Sequence, residues 1–274
     1  MSESKTYSYF PGCTLRTAAK DLDKWARDSA KALGFTLEEI PDWQCCGGVY
    51  TEGVTETAPK LSSVRALKAA NDAGNDLVAV CAACFNVLKR VENDMENDDS
   101  VASKRANAYM GEEEAYHGGT RVKHYLEVLR DDIGFEAIKA AVKNPLSSGR
   151  WAGKKIGAYY GCMLLRPSGV IGLDDAENPR ILEDLIKALG GESVVYARRN
   201  ECCGAYQAVT DPEIPKKRSG EILDNAKDNG ATVLVTACPL CKYNLAKYAA
   251  GKDVEVVYFT ELLAEALGVI NADE

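Results

Sequence analysis

Ten cysteines fall into two sets of five that repeat one spacing, and no other feature of the chain restricts its fold and chemistry as strongly. The first set, Cys13, Cys45, Cys46, Cys81 and Cys84, reads C-x31-CC-x34-C-x2-C. The second, Cys162, Cys202, Cys203, Cys238 and Cys241, reads C-x39-CC-x34-C-x2-C. From the adjacent pair through the C-x2-C the offset between halves is constant at 157 residues. The flanks repeat as well. Phe10-Pro11-Gly12-Cys13 answers Tyr159-Tyr160-Gly161-Cys162, Cys45-Cys46-Gly47 answers Cys202-Cys203-Gly204, and Leu77-Val78-Ala79-Val80-Cys81 answers Leu234-Val235-Thr236-Ala237-Cys238. Beyond the cysteines, Glu127-Val128-Leu129 with Gly134 resembles Glu261-Leu262-Leu263 with Gly268. An internal duplication therefore divides the 274 residues into a first unit over 1–146 and a second over 147–274, in keeping with roughly 100–200 residues per domain.

Each half scans as alternating strand and helix. In the first, Thr6 to Phe10 reads as a strand, and Leu22, Trp25, Ser29 and Leu33 mark a helix face that ends at Gly34, a glycine suited to the C′ position. Phe35 to Ile40 is a strand, Ala58 to Ala73 a helix, Leu77 to Val80 a strand and Ala82 to Glu96 a helix. In the second, Ile156 to Tyr160 is a strand, and Asn178-Pro179 offers an N-cap and an N1 proline to a helix carrying Leu182, Leu185, Ile186 and Leu189. Ser193 to Ala197 and Val233 to Thr236 are strands, with helices at Glu213 to Asn229 and Pro239 to Tyr248. A strand over Val254 to Phe259 and a helix over Glu261 to Leu267 close the chain. Such alternation predicts two pseudo-symmetric α/β lobes with parallel strands and crossover helices. The cysteines then cluster beyond the carboxyl ends of the strands, where open α/β sheets bind ligands. Asn97 to Gly119, acidic and unmatched in the second half, reads as an insertion, and Lys143 to Gly153 as the linker.

Composition narrows the function classes. Lys plus Arg number 33 against 41 Asp plus Glu, for a formal charge of -8, which argues against nucleic acid as a partner. The longest apolar stretches, around Leu77 to Leu88 and Ala231 to Leu240, fall short of the roughly 20 residues a span requires. The N-terminus lacks the basic-then-apolar pattern of a secretory signal, so a cytoplasmic location is the default. In a reducing cytosol clustered cysteines bind metal or do redox chemistry more often than they form structural disulfides. Structural zinc takes four ligands, and a C-x2-C half-site suits it. Five thiolates brought together twice suit a larger polynuclear target such as an iron–sulfur cluster, one unlike the C-x2-C-x2-C-x3-C-P of bacterial ferredoxins. Zinc in at least one half, buried free thiols that merely pack, or disulfides at Cys45-Cys46 and the C-x2-C motifs, are the competing readings.

Two copies of a spaced Cys, a Cys-Cys-Gly and a C-x2-C over nearly the whole chain resemble the cysteine-rich CCG-domain family, and in particular the B-type subunits of heterodisulfide reductase. The resemblance implies that all ten cysteines are cluster ligands, that each set carries a non-cubane 4Fe-4S cluster, and that the cluster irons rather than a side chain are the reactive centres. It implies further that a disulfide, that of coenzyme M and coenzyme B in the methanogen enzyme, is reduced between two such clusters. Electrons would come from a small ferredoxin-like partner and a flavin-containing partner of a heterodisulfide reductase-type complex, with no flavin or zinc in this chain. One departure is that Gly47-Gly48 stand where the methanogen protein has proline after its first Cys-Cys, which bears on the disulfide accepted.

Other candidates are single residues. Arg16 and Arg166 follow the first cysteine of each half and could hold an anionic thiol substrate or make surface ion pairs. Tyr50 and Tyr206, shortly after the paired cysteines, could donate a proton, line a pocket or pack in the core. Gly12, Gly47, Gly161 and Gly204 read equally as turn glycines or as positions where a missing Cβ lets the backbone approach inorganic sulfur. His117 and His124 have no second-half counterparts and are set aside. The leading expectation is a disulfide-reducing catalytic subunit. The alternative is an electron-relay subunit of an assembly of the lactate, glycolate, glycerol-3-phosphate or succinate dehydrogenase type. A zinc-stapled scaffold is the third reading.

Overall fold

The computed structural model describes residues 5–50, 56–111, 114–249 and 251–270. The first half builds β1 (Thr6–Phe10), a short α1 (Cys13–Arg16), α2 (Lys20–Ala32), β2 (Thr36–Glu39), α3 (Leu61–Asp72), β3 (Leu77–Ala79), α4 (Ala82–Met95), α5 (Val101–Met110), β4 (Val122–His124), α6 (Tyr125–Glu127) and α7 (Phe135–Ala141). The second builds β5 (Lys155–Tyr159), α8 (Ser168–Ile171), α9 (Ile181–Ala188), β6 (Glu192–Val194), α10 (Glu213–Asp228), β7 (Val233–Thr236), α11 (Pro239–Tyr248), β8 (Glu255–Tyr258) and α12 (Phe259–Ala266). Each half forms one parallel four-stranded sheet, ordered β2-β1-β3-β4 and β6-β5-β7-β8. The expected α/β duplication is the observed architecture.

Local chemistry accounts for the elements. Leu77, Val78 and Ala79 of β3 and all four residues of β7 are buried, as strands covered on both faces require. α2 buries Leu22, Ala26, Ser29 and Ala30, a stripe at helical spacing. It stops at Gly34, whose φ of +83° fits the C′ position while Phe35 N donates to Ala30 O.

Several boundaries differ from the sequence reading, each for a visible reason. Asn178-Pro179 do not cap α9. Asp174 does, its Oδ2 accepting from the backbone N–H groups of Arg180 and Ile181, while Asn178 Oδ1 accepts from Arg199. The strand expected over Ser193 to Ala197 is limited to Glu192–Val194, because residues from Ala197 turn into a 3₁₀ helix. β4 has no counterpart in the sequence reading: Arg121 and Lys123 interrupt its apolar signal, and its place is set by pairing with β3. The acidic insertion contains α5, capped by the Ser100 side chain accepting from Ser103 N; Glu112 and Glu113 within it lie outside the described residues. The expected linker is pinned to the second half, with Lys143 N and Asn144 N donating to Ala266 O and the Trp151 indole to Glu265.

The halves exchange helices. α12, after the last strand of the second sheet, packs on α2 of the first, and α7 packs on α9 of the second. Phe35, Tyr125 and Phe259 meet at this crossing with ring centroids 5.8 and 6.1 Å apart. One buried apolar cluster consequently runs through both halves.

Candidate redox centre

A sheet ordered 2-1-3-4 reverses its winding between β1 and β3, and the crevice beyond the carboxyl ends at such a reversal is where parallel sheets hold ligands. Cys13 opens α1 just after β1, Cys81 caps α4 just after β3, and Cys84 lies in the first turn of α4. Cys45 and Cys46 arrive in the loop after β2. The second half repeats the arrangement, with Cys162 after β5, Cys202 and Cys203 in the loop beyond β6, and Cys238 capping α11 ahead of Cys241.

All ten are free thiols. Their sulfurs meet in pairs: Cys13 to Cys45 at 3.4 Å, Cys46 to Cys84 at 3.4 Å, and Cys203 to Cys241 at 3.6 Å. Among the described residues no three metal-binding side chains surround a single point. The electrostatics repeat at Cys46 and Cys203 and at Cys84 and Cys241, but not at the first cysteine of each adjacent pair, where burial raises Cys45 and contact with Cys162 lowers Cys202. Contact with Cys84 brings Cys46 down to about 7 and also lowers Cys81, while Cys84, beside both and fully buried, is pushed up. Likewise contact with Cys241 lowers Cys203, and Cys241, beside Cys203 and Cys238, is pushed up. Contact with Cys162 brings Cys202 to about 6, and the same contact raises Cys162. The backbone N–H groups of Cys84 and Ala83, in the first turn of α4, also favour negative charge on Cys81.

All four glycines touch this chemistry, two of them through the place a Cβ would take. Gly12, at φ +74°, would place a Cβ 2.7 Å from Cys84 Sγ, and Gly161, at φ +63°, a Cβ 3.3 Å from Cys241 Sγ. Gly47 and Gly204 meet it through their backbone N–H groups, which donate to Cys45 Sγ at 3.4 Å and Cys202 Sγ at 3.3 Å; a Cβ at Gly47 would have no neighbour nearer than 4.0 Å, and one at Gly204 would lie 3.2 Å from Pro215 Cα. Thiols paired at both sheet reversals, with a glycine backbone laid on the second cysteine of each C-x2-C, fit a bulky thiolate-held group better than isolated packing cysteines.

The two sets face each other. Ala82 N, next to Cys81, donates to Ala237 O, next to Cys238, at 3.2 Å. The Tyr206 hydroxyl donates to Gly48 O at 2.5 Å, crossing from the second Cys-Cys loop to the first. Burial, then the charges of Cys238, Cys162, Cys81 and Cys46, push its phenol up, which places Tyr206 within the field of both sets. Tyr50 is no counterpart. Its hydroxyl donates to Asp94 at 2.6 Å and accepts from Lys60 at 3.0 Å, between α3 and α4. Arg16 is held by Glu39, which also accepts from Arg27 and Trp43. Arg166 donates to Glu177 and Ala176 O. The arginines thus end on carboxylates of their own halves. His117 sits on the surface beside Asp98, and His124 is buried against Val80 O.

Two asparagines escaped the sequence reading. Asn86 Nδ2 donates to Met163 O and Arg166 O, both at 2.8 Å, tying α4 to the loop after Cys162. Asn244 Nδ2 lies 3.9 Å from Cys203 Sγ. A polar residue on the apolar face of each helix, soon after its C-x2-C, was the available signal.

The cysteine-rich CCG domain matches residues 7–89 and 156–246, and the chain belongs to that family. It is 31% identical over 97% of its length to the 8-methylmenaquinol:fumarate reductase membrane anchor subunit of Wolinella succinogenes, covering 93% of that protein. It is 26% identical over 95% of its length, and 89% of the relative's, to the B-type subunit of the Ferredoxin/F(420)H(2)-dependent CoB-CoM heterodisulfide reductase of Methanosarcina acetivorans. A crystal structure of a hypothetical protein from Helicobacter pylori superposes with a TM-score of 0.73 at 12% identity over 98% of this chain and 50% of that one, a likeness of fold. Among the described residues no helix is long and apolar enough to cross a membrane.

Proposed function

We propose that the chain is the iron–sulfur catalytic subunit of a heterodisulfide reductase-like assembly, reducing a disulfide, CoM-S-S-CoB or a related one, to two thiols. The relatives that are heterodisulfide reductase subunits support an oxidoreductase subunit with partners, and their CCG domains imply iron–sulfur clusters. The finer reading is that residues 1–146 and 147–274 each form one CCG unit, whose five cysteines hold one non-cubane 4Fe-4S cluster. Bound there, the two clusters would supply the two electrons and the iron sites for the two sulfurs.

The observation that carries the proposal is the hydrogen bond between Ala82 and Ala237, which holds the two C-x2-C loops against each other. Reduction of a disulfide consumes two electrons and two protons and releases two thiols, so a pair of facing sites matches the two sulfurs. Tyr206, bound to Gly48 across the gap, would line the space between them and help keep the loops in register. Arg16 and Arg166 could meet an anionic substrate only by leaving Glu39 and Glu177. Electrons would arrive from a ferredoxin-like partner and a flavin-bearing one.

A second reading, an electron relay, draws on the relative named for methylmenaquinol:fumarate reduction. One experiment separates the two. Anaerobically prepared protein, reduced by a low-potential dye, is offered the coenzyme M–coenzyme B heterodisulfide and related disulfides, beside Cys45→Ser and Cys202→Ser. The reductase reading expects turnover in the wild type, the loss of about half the iron in each variant, and no turnover in either. Full reduction without cleavage of any disulfide, and without a thiol-induced spectral change, would leave the relay.

A further inference from the structure

The two halves differ most between the first cysteine and the Cys-Cys pair, C-x31-CC against C-x39-CC. In the second half, residues 163–180 form a long loop that carries α8, and α8 packs on α4 of the first half. Leu164, Leu165, Ile171 and Leu173 of this loop are buried, and Asn86 fastens it through the carbonyls of Met163 and Arg166. The first half has only residues 17–19 between α1 and α2. The duplication offset matches Asn86 with Tyr243 on α11. No corresponding loop reaches that helix among the described residues, and Tyr243 and Leu240 are 64% and 37% exposed.

The face left open is a groove of about 440 Å³ between α1–α2 and α11. Ala18, Ala19, Pro239, Leu240, Tyr243 and Ala246 give it an apolar lining. Thr14, the neighbour of Cys13, is also in its wall, so the groove borders both cysteine sets. Lys242 lies over the Tyr258 ring at 4.3 Å and Lys247 near the Tyr243 ring at 5.8 Å. Neither lysine forms an ion pair among the described residues, and both border the groove together with Asp21, which leaves the lining with a net positive charge.

We propose that this groove is the docking surface for a partner protein, which seats a short aliphatic turn flanked by carboxylates on α11 as the α8 loop is seated on α4. The chain itself shows what covers the equivalent face of α4, a turn of polypeptide with branched side chains. The two lysines add the demand for acidic neighbours.

The proposal rests on reading the chain as a member of a complex, and its test separates the two. In the complex isolated anaerobically, a photoreactive benzoylphenylalanine replaces Tyr243, with Tyr109 on α5 as the control position. Cross-linking from 243 to one partner protein, through a peptide with aliphatic and acidic residues, is expected. Tyr243→Ala with Lys247→Glu should weaken association at least tenfold and leave the iron content of the chain unchanged. A complex that forms normally with this variant, no cross-link from 243, or protection of 243 by the disulfide alone would overturn the docking surface and leave disulfide reduction by dye-reduced chain untouched. A chain that purifies without any partner would overturn both, whereas docking without disulfide cleavage would overturn only the reductase.

Discussion

At the scale of single residues, the backbone of Gly12 is the tightest constraint on the first cysteine set. Its φ of +74° and ψ of 161° lie in a region that is essentially glycine's alone, and its absent Cβ makes room for Cys84. Gly12→Ala therefore combines backbone strain of about 1–3 kcal/mol with a collision on a thiol. Iron and acid-labile sulfide should fall to about half of wild type, all of the loss from the first set. Gly47→Ala, at φ +86° in open space, should keep its iron and show only lower stability. Equal iron loss in both variants would mean that strain alone governs loading. The sequence placed all four glycines beside cysteines but could not separate them, since the difference lies in what a Cβ would meet. The same holds for Tyr50 and Tyr206. Similar positions after a Cys-Cys pair lead one hydroxyl to Asp94 and the other across to Gly48.

Among the elements, the junction of β4 and α6 depends on His124. Its Nδ1 accepts from Leu126 N and its Nε2 donates to Val80 O, so the ring serves the fold as the neutral tautomer. Burial holds its pKa at about 3, below the ordinary value of 6.5. A depressed value gives stability that is complete above 6.5 and is lost as pH falls toward 3, because the unfolded chain takes up the proton first. At pH near 4.5 the loss is on the order of 2–3 kcal/mol. Urea unfolding of wild type and His124→Asn at neutral pH and near 4.5 checks this, and the variant should lose less on acidification. Parallel losses would place the acid sensitivity elsewhere. The elements were the most legible part of the sequence. Apolar runs gave β1, β3 and β7, and Gly34 ended α2 where expected. β4 escaped because three residues with Lys123 at their centre and Arg121 before them give no apolar run, and the α9 cap because Asp174 reaches it from outside the local motif.

For the whole molecule, the repeat in the cysteines announced two lobes, yet nothing in it announced that they trade helices. α12 and α2 are both apolar on their inner faces, and any compact pairing would satisfy that pattern. The crossing argues that the halves unfold together. Phe259, buried against Tyr125 at 6.1 Å and His124 at 6.0 Å, joins the two. Phe259→Ala should cost about 3–5 kcal/mol. Denaturant unfolding followed at Trp25 and Trp43 in the first half and Trp151 in the second should remain one transition, shifted as a unit. Two transitions, with only the second displaced, would make the lobes independent. The asymmetry of their loops was written plainly in the two spacings, and its meaning, one helix face covered and its twin bare, needed the fold.

The crossing of α12 onto α2 also sets an order of events in the cell. A ribosome making roughly 5–20 residues per second releases α2 some tens of seconds before α12. Once β4 has followed, the first half holds all five of its cysteines and all four strands of its sheet, with one helix flank uncovered until α12 arrives. Cofactor delivery to the nascent first half would meet an unfinished protein, so maturation is best timed to follow release of the full chain, when the final helix has closed the first lobe.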